Sequence, residues 1–302
     1  MKRAGIPTEE FIYSGHTACP GCGAMLVARY LLKVLGKNTI MNIPACCFAA
    51  IPGTFPDTCL SIPLLYNAFE TTAATASGVE AALKIKGKKE KITVVGFAGD
   101  GGTADIGIQA LSGAIERGHE IMYVCYDNEA YMNTGMQTSS LTPMGATTTT
   151  NPVGKHGGGW RIRNKKNMME IVAAHNIPYA ATVNPSYPMD FIKKIEKAKS
   201  IKGPSYIHAY SVCPTGWRYQ PELGLEIGRL ATETGIFPLY EFENGTYTIN
   251  YKKKTKQVIE YYKLQGRFRH LPEDFVKEVQ MAIDKEWQRL QDKEECSHRQ
   301  KL

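Results

Sequence analysis

The sequence contains no uninterrupted apolar run approaching the ~18 residues that a membrane-spanning helix requires. Its basic start, Lys2-Arg3, is not followed by the apolar segment of a signal peptide. It also lacks internal repeats and any linker that would divide it. We therefore expect one cytoplasmic domain over residues 1–302, whose composition of 43% hydrophobic and 22% charged residues is typical of globular proteins.

The formal net charge of +7 is not gathered into a nucleic-acid-binding stripe. The basic residues fall in separate segments, 84–91, 161–166 and 252–256, without interleaved aromatic residues or a known nucleic-acid signature. We therefore expect no nucleic-acid partner. A scattered basic surface suits the docking of a small acidic protein, because complementary charge speeds the encounter.

Cysteine is plentiful in a chain expected to lie in a reducing compartment, which favours metal binding or catalysis over disulfides. The eight cysteines are Cys19, Cys22, Cys46, Cys47, Cys59, Cys125, Cys213 and Cys296. Cys125 lies within an apolar run and is expected to be a core residue. The Cys19-Pro20-Gly21-Cys22 pair fits zinc, a redox disulfide or an iron–sulfur cluster. Further thiols at Cys46, Cys47 and Cys213 make a set of four possible, and their isolation favours a cluster over a zinc knuckle.

The centre of the chain alternates between strand and helix patterns. Residues 92–97 and 121–126 are short, apolar and β-branched, as buried strands are, and a helical pattern over 104–117 lies between them. This order predicts an α/β fold with a parallel sheet and helices on both faces. The remaining patterns predict helices over 24–35, 67–85, 168–175 and 187–199, strands over 181–184 and 205–212, a long loop over 128–160, and a C-terminal helix over about 274–295.

The apolar residues of that C-terminal helix form a stripe at four-residue spacing. They are Phe275, Val279, Ile283 and Trp287. A stripe of this kind is typical of a packing surface rather than of a cofactor site. It could contact a partner subunit or the rest of this chain.

Two polar turns follow the two central strands. Gly99-Asp100-Gly101 joins the first strand to its helix, where glycines admit a phosphate close to the backbone and Asp100 can bind Mg²⁺. Alone, the triplet is more typical of an ordinary turn than of a phosphate site. Asn128 follows the second strand, and ligands of parallel sheets bind at the carboxyl ends of strands. Asp100 and Asn128 are therefore expected to converge on one ion, a pattern that resembles the thiamine diphosphate signature.

These and other segments together resemble the β subunit of archaeal and bacterial pyruvate:ferredoxin oxidoreductases, over about residues 10–270. The segments are Cys19-Pro20-Gly21-Cys22-Gly23, Phe69-Glu70, Ser77-Gly78-Val79-Glu80-Ala81, Gly99-Asp100-Gly101-Gly102-Thr103-Ala104-Asp105-Ile106-Gly107, Leu111-Ser112-Gly113-Ala114-Ile115-Glu116-Arg117-Gly118-His119, Tyr126-Asp127-Asn128-Glu129-Ala130-Tyr131-Met132-Asn133-Thr134-Gly135, Pro152-Val153-Gly154-Lys155, Ile171-Val172-Ala173-Ala174-His175, Cys213-Pro214-Thr215-Gly216-Trp217 and Glu233-Thr234-Gly235-Ile236-Phe237-Pro238-Leu239-Tyr240.

The resemblance implies a thiamine-diphosphate-binding fold that holds the cofactor, Mg²⁺ and a [4Fe–4S] cluster. The implied cluster ligands are Cys19, Cys22, Cys47 and Cys213, with Cys47 also near the cofactor. The implied Mg²⁺ ligands are Asp100, the Asn128 side chain and the Ala130 carbonyl, and the implied diphosphate turn is Gly99, Asp100, Gly101 and Gly102. Asn133 would bind the cofactor near its reacting carbon, as a catalytic residue.

One segment departs from the family. Many relatives have Ala-Thr-Gly-Cys where this chain has Pro44-Ala45-Cys46-Cys47. The changed residues adjoin a cluster ligand, so the sequence leaves open both the substrate and the choice between Cys46 and Cys47.

The resemblance implies oxidative decarboxylation of pyruvate with coenzyme A to acetyl-CoA and CO₂, with electrons passed through the cluster to ferredoxin. A relative acting on a branched-chain 2-oxoacid, 2-oxoglutarate or oxalate is the alternative. The Glu that activates the cofactor's pyrimidine is expected on another subunit, so the chain needs partners. A non-redox thiamine enzyme would leave the four thiols unexplained, and a simple electron carrier would leave the two polar turns unexplained.

Overall fold

The computed structural model describes residues 2–3, 5–154 and 158–299. Lys155, the last residue of one family-like segment, lies outside them. The strands are β1 Lys2–Arg3, β2 Ile6–Pro7, β3 Thr39–Pro44, β4 Leu64–Asn67, β5 Thr93–Gly99, β6 Met122–Asp127, β7 Tyr179–Val183, β8 Ser205–Tyr210, β9 Tyr240–Glu243 and β10 Thr246–Ile249. The helices are α1 Gly23–Leu35, α2 Cys47–Ala50, α3 Thr72–Ile85, α4 Ile108–Glu116, α5 Met168–Ala173, α6 Pro188–Ser200, α7 Pro214–Trp217, α8 Gly224–Glu233, α9 Val258–Tyr262 and α10 Glu273–Arg299.

Most strands join one sheet, in the order β10-β9-β7-β8-β6-β5-β3-β4. From β7 to β4 the neighbouring strands are parallel. The β9–β10 hairpin adds two antiparallel strands at one edge, which the sequence analysis did not predict. Its turn is Asn244-Gly245, where both residues have positive φ (46° and 84°), as two-residue hairpin turns require.

Side chains alternate between two apolar layers, one on each face of the sheet. In β5, Val95 and Phe97 join the layer that contains α1 and α6, whereas Val94 and Ala98 join the layer that contains α3, α4 and α5. Because both faces are covered, the parallel strands are apolar throughout rather than alternating. The predicted α/β class with helices on both faces is confirmed, and Cys125 is a fully buried core residue.

Two predicted helices begin at different residues in the structure. The pattern over 67–85 is helical only from Thr72, because Leu64–Asn67 forms β4 beside β3. The helix expected from residue 104 is preceded by a π-helical turn, Gly102–Ile106, and α4 begins at Ile108. Hydrophobic periodicity does not distinguish a π turn from an α turn, so no sequence pattern marked the π-helical turn.

The C-terminal helix packs against its own chain. Val279 is buried, and Phe275, Ile283 and Trp287 are partly buried against the two neighbouring apolar clusters. Near its end, Glu294 Oε1 accepts a hydrogen bond from the Ile249 backbone N–H at 2.6 Å. The stripe is therefore an intrachain packing surface. No helix among the described residues is both long and apolar enough to span a membrane.

Candidate functional site

Thiol and polar side chains follow four neighbouring parallel strands at the same edge of the sheet. Cys47 lies just beyond β3, Asp100 directly follows β5, Asn128 directly follows β6, and Cys213 lies just beyond β8. These strands are adjacent in the order β3-β5-β6-β8. All four residues therefore lie at the carboxyl ends of adjacent parallel strands, where ligands of such sheets bind.

The turn after β5 is shaped for close approach to its backbone. Asp100 and Gly101 open the helical segment and Gly102 begins the π-helical turn. The first amide groups of a helix have no partner within it, so such a turn suits an anionic ligand. A Cβ at Gly101 would lie 2.3 Å from the Tyr131 ring, so only glycine fits beneath that ring. The Tyr131 hydroxyl donates to Asp105 Oδ2 at 2.7 Å, which joins the two polar turns.

Three oxygen-bearing groups meet between these turns. The end of the Asn128 side chain lies 2.8 Å from Asp100 Oδ1 and 3.0 Å from the Ala130 carbonyl oxygen. With its nitrogen at that end, Asn128 donates a hydrogen bond to each. With its oxygen there, Asn128 places an oxygen 2.8 Å from Asp100 Oδ1 and 3.0 Å from the Ala130 carbonyl oxygen, as neighbouring oxygen ligands of one Mg²⁺ would lie. The donor set and its spacing therefore fit the predicted ion.

Asp100 is buried with little to neutralise a negative charge. Ser139 Oγ donates to its Oδ2 at 2.5 Å. Burial, followed by the nearby charge of Asp127, raises the pKa of Asp100 well above its usual range. A divalent cation would supply the positive charge that favours the carboxylate form.

Asp127, by contrast, is buried but well neutralised. Its Oδ2 lies 2.6 Å from Lys165 Nζ and 3.0 Å from His208 Nε2. Burial alone would raise the pKa of Asp127, but Lys165 and His208 outweigh it and lower that pKa to about 2. Of the two carboxylates, Asp100 is therefore the one available to an ion.

A glycine brings the N-terminal thiols to this edge. Gly23, directly after Cys22, donates its N–H to the Val212 carbonyl oxygen at 2.9 Å. A Cβ at Gly23 would lie 2.5 Å from the Val212 nitrogen, so only glycine allows this contact. The contact sets Cys22 beside the segment that carries Cys213. Thr215 Oγ1, in the same segment, lies 3.8 Å from Cys19 Sγ.

The thiols influence one another electrostatically. Burial, followed by the neighbouring thiols of Cys213, Cys46 and Cys22, raises the pKa of Cys47 to about 12. Burial likewise raises the pKa of Cys213 to about 11, although the Gly216 N–H donates to its sulfur at 3.4 Å. Metal binding would displace these protons, because the thiolate is the ligand.

No three His, Cys, Asp or Glu side chains among residues 2–3, 5–154 and 158–299 surround one point as ligands of a single ion. A four-iron cluster places each thiolate on a different iron, so its ligands are more widely spaced than those of one zinc. Within the described residues, the thiols do not form a ready site for one zinc ion.

The two adjacent cysteines have different surroundings. Cys46 is buried in the apolar layer, and burial raises the pKa of its thiol despite a contact with the Tyr126 hydroxyl. Cys47 is partly exposed, and Cys213 is the thiol with the strongest influence on it. These surroundings favour Cys47 as the ligand.

Asn133 lies in an exposed turn closed by the Tyr131–Gln137 bridge, beside the proposed metal oxygens along the chain. Its proposed role near the reacting carbon stays a prediction. Three further residues at the site were missed: Ser139, Lys165 and Arg267. The first two lie in the long irregular segment after β6 and the third in a short 3₁₀ turn, and no local pattern marked them.

Similarity to known proteins shows which class of enzyme this chain resembles. A family model described as thiamine pyrophosphate enzyme, C-terminal TPP binding domain, matches residues 45–209, more than half of the chain. Thiamine pyrophosphate is another name for thiamine diphosphate. A solved 2-oxoglutarate:ferredoxin oxidoreductase from Magnetococcus marinus, with 2-oxoglutarate, coenzyme A and succinyl-CoA bound, superimposes with a TM-score of 0.58. The match covers 74% of this chain and 80% of that chain at 21% identity, which shows a shared fold.

Two relatives narrow the class. Ketoisovalerate oxidoreductase subunit VorB of Pyrococcus furiosus is 53% identical over 296 residues, covering 96% of this chain and 95% of the relative. Pyruvate synthase subunit PorB of Methanocaldococcus jannaschii is 54% identical over 286 residues, covering 92% and 96%. The chain therefore belongs to the thiamine-pyrophosphate-binding subunits of the 2-oxoacid oxidoreductases, as the sequence resemblance predicted.

Proposed function

We propose that the chain is the catalytic subunit of a cytoplasmic 2-oxoacid:ferredoxin oxidoreductase that binds thiamine diphosphate through Mg²⁺ and carries a [4Fe–4S] cluster. The observation that carries the proposal is the meeting of two donor sets at one sheet edge. Asp100 and Cys47 follow the adjacent strands β5 and β3, and the Asp100 charge is among those that raise the pKa of Cys47. A hard-oxygen site and a thiol site are thus neighbours.

Each set has one task. Asp100, Asn128 and the Ala130 carbonyl hold Mg²⁺, and the backbone of Gly99, Gly101 and Gly102 contacts the diphosphate. Cys19, Cys22, Cys47 and Cys213 hold the cluster, and Asn133 lies near the reacting carbon. Thiamine diphosphate bound at the first set would supply an electron sink for decarboxylation of a 2-oxoacid, and a cluster held by the second set would supply one-electron redox chemistry beside it.

The balanced reaction consumes a 2-oxoacid, coenzyme A and two oxidised ferredoxins. It yields an acyl-CoA, CO₂, two reduced ferredoxins and a proton. Pyruvate is the first candidate substrate, giving acetyl-CoA. The basic charge of the chain, +7, favours encounter with an acidic ferredoxin.

A branched-chain 2-oxoacid is the second candidate, because the chain is as similar to a ketoisovalerate subunit as to a pyruvate subunit. The segment that departs from the common family pattern, Pro44-Ala45-Cys46, adjoins the proposed ligand Cys47. A larger substrate would require more room at this edge of the site.

The assembled complex, purified without oxygen, tests the proposal. Its iron, zinc, magnesium and thiamine diphosphate contents should be measured first. Turnover of pyruvate, ketoisovalerate, 2-oxoglutarate and oxalate is then compared with coenzyme A and ferredoxin. We expect about four irons in this subunit and the highest kcat/KM for pyruvate. A higher kcat/KM for ketoisovalerate would select the second candidate, and no turnover of any 2-oxoacid would contradict the proposal.

A further inference from the structure

The residue between the two proposed metal-binding groups, Glu129, has an unusual backbone. Its φ is +67°, in the left-handed region that residues other than glycine seldom adopt. Two hydrogen bonds hold it there: its N–H donates to Asp127 Oδ1 at 3.0 Å, and Thr142 Oγ1 donates to its carbonyl oxygen at 2.7 Å. This conformation turns the Asn128 side chain and the Ala130 carbonyl towards each other.

The Glu129 side chain is held by two cations. Lys165 Nζ lies 2.7 Å from its Oε1, and an Arg267 guanidinium nitrogen lies 2.6 Å from its Oε2. Glu129 and Arg267 are almost completely buried. Removing one partner would leave the other charge buried and uncompensated, so this arrangement resists movement.

Arg267 also reaches the segment of the proposed cluster ligand Cys213. Its guanidinium carbon lies 3.9 Å from the centre of the Trp217 ring. Trp217 is fully buried, four residues after Cys213, and its indole N–H donates to the Asn128 carbonyl oxygen at 2.9 Å. One chain of contacts therefore joins the segment of Cys213, through Trp217, to the turn of Asn128. Arg267 packs on the Trp217 ring and pairs with Glu129 in that turn.

We propose that Trp217 and Arg267 are positioning residues that fix the metal-binding turn relative to the thiol site. Trp217 sets the position of the Asn128 peptide, and Arg267 fixes Glu129 and places a buried positive charge near the cluster. The inference rests on the proposed function, since it assigns these residues to the two groups named there. Neither residue touches substrate or the reacting atoms in this role.

The decisive variant is Trp217→Phe, which keeps an aromatic ring beneath Arg267 and removes the indole N–H together with part of the ring. Trp287→Phe, in α10, is the matched control. In the assembled enzyme we expect Trp217→Phe to raise the Kd for thiamine diphosphate with Mg²⁺ about fivefold, as loss of one hydrogen bond would. Trp287→Phe should leave that Kd unchanged. An unchanged Kd for Trp217→Phe, measured by calorimetry, would overturn the positioning role.

The charge of Arg267 is tested through the cluster. Removing a nearby cation destabilises the more negative reduced cluster, so Arg267→Gln should lower its midpoint potential, followed by electron paramagnetic resonance. Arg267→Lys should restore the potential. An equal potential in all three proteins would refute the electrostatic part, and if Arg267→Gln does not fold, Trp217→Phe still decides the proposal. Absence of iron and thiamine diphosphate from the wild-type complex would instead refute the proposed function.

Discussion

At the scale of single residues, the site separates hard and soft donors that lie side by side. Asp100 and Asn128 present oxygens and directly follow β5 and β6. Cys47 and Cys213 present sulfurs and lie just beyond β3 and β8. Mg²⁺ prefers oxygen and iron–sulfur clusters prefer thiolate, so the two proposed groups would bind at separate donor sets. Substitutions at the two sets should therefore have separable effects.

Asp100→Ala should abolish Mg²⁺-dependent thiamine diphosphate binding and leave the cluster in place. The carboxylate is the only anionic side chain in the phosphate turn, and the diphosphate without its ion meets too little positive charge. We expect cofactor affinity to fall at least about 100-fold by calorimetry on the assembled enzyme. Asp274→Ala, which removes an exposed carboxylate, is the control. Wild-type affinity in Asp100→Ala would show that another residue binds the ion.

Cys46→Ala and Cys47→Ala form a pair of variants that differ by one position. Cys47→Ala should lose the cluster because it removes a proposed ligand. Cys46→Ala should retain about four irons and an absorption band at about 400 nm that bleaches on reduction. Iron analysis and visible spectra measure both. The ligand assignment is wrong if Cys46→Ala alone loses the cluster, and stoichiometric zinc in the wild type would exclude a cluster altogether.

At the scale of elements, a buried carboxylate joins α3 to the turn before β6. Glu80, in α3, is almost completely buried. Its oxygens lie 3.1 Å from His119 Nδ1, 3.3 Å from the Glu120 backbone nitrogen and 2.5 Å from Lys84 Nζ. Burial would raise the pKa of Glu80, but the hydrogen bonds from Lys84 and His119 outweigh it and lower that pKa. Glu80 is thus a structural residue.

Glu80→Gln should lower the free energy of unfolding at pH 7 by about 2 kcal/mol, the usual loss for hydrogen bonds to a charged group. Because the folded pKa lies below the ordinary value of 4.5, the contribution of Glu80 is complete above that value and is lost as the pH falls through the folded pKa. Denaturant unfolding should therefore show the difference from wild type shrinking below about pH 4.5. Glu90→Gln, in an exposed pair with Lys202, should change little at any pH. A difference independent of pH would contradict the assignment.

At the scale of the whole molecule, the described residues form one eight-stranded α/β sheet whose carboxyl-terminal edge carries the proposed cofactor ligands. Three acidic residues at the carboxyl-terminal edge of the parallel strands already have partners or a proposed ion: Asp127 and Glu129 bind Lys165, and Asp100 faces Asn128. Glu80 is engaged by His119 and Lys84. Activation of thiamine diphosphate needs a carboxylate against its pyrimidine, and sites of this size usually lie between domains. A partner subunit is therefore expected to supply that carboxylate.

The chain alone, reconstituted with iron, sulfide, Mg²⁺ and thiamine diphosphate, should not oxidise pyruvate with coenzyme A and a low-potential dye. Addition of the partner subunits should restore turnover. The comparison requires equal iron and cofactor contents in both preparations, so that a lack of activity reports the absent carboxylate rather than an empty site. Turnover by the isolated chain equal to that of the complex would mean that its own residues complete the pocket.

The sequence by itself determined the class of this protein. Its short apolar strands, its Gly99-Asp100-Gly101 turn and Asn128 predicted the parallel sheet and the meeting of two strand ends, because this information is local and periodic. The two-residue gap between Cys19 and Cys22 marked them as a candidate metal-binding or redox pair. The Asn244-Gly245 hairpin could also have been predicted, since its two residues carry the turn signal themselves.

The residues that support the candidate site could be identified only from the tertiary structure. Ser139, Lys165, Arg267 and Trp217 come from distant parts of the chain, and burial brings them against Asp100, Asn128 and Glu129. No spacing rule connects such residues, because their proximity depends on how the long irregular segment and the C-terminal region pack. The same holds for the surroundings of Cys46 and Cys47, adjacent in sequence but unequal in burial. Residues that belong to local motifs can therefore be predicted from sequence, whereas the burial and charged neighbours that set their pKa values depend on tertiary packing.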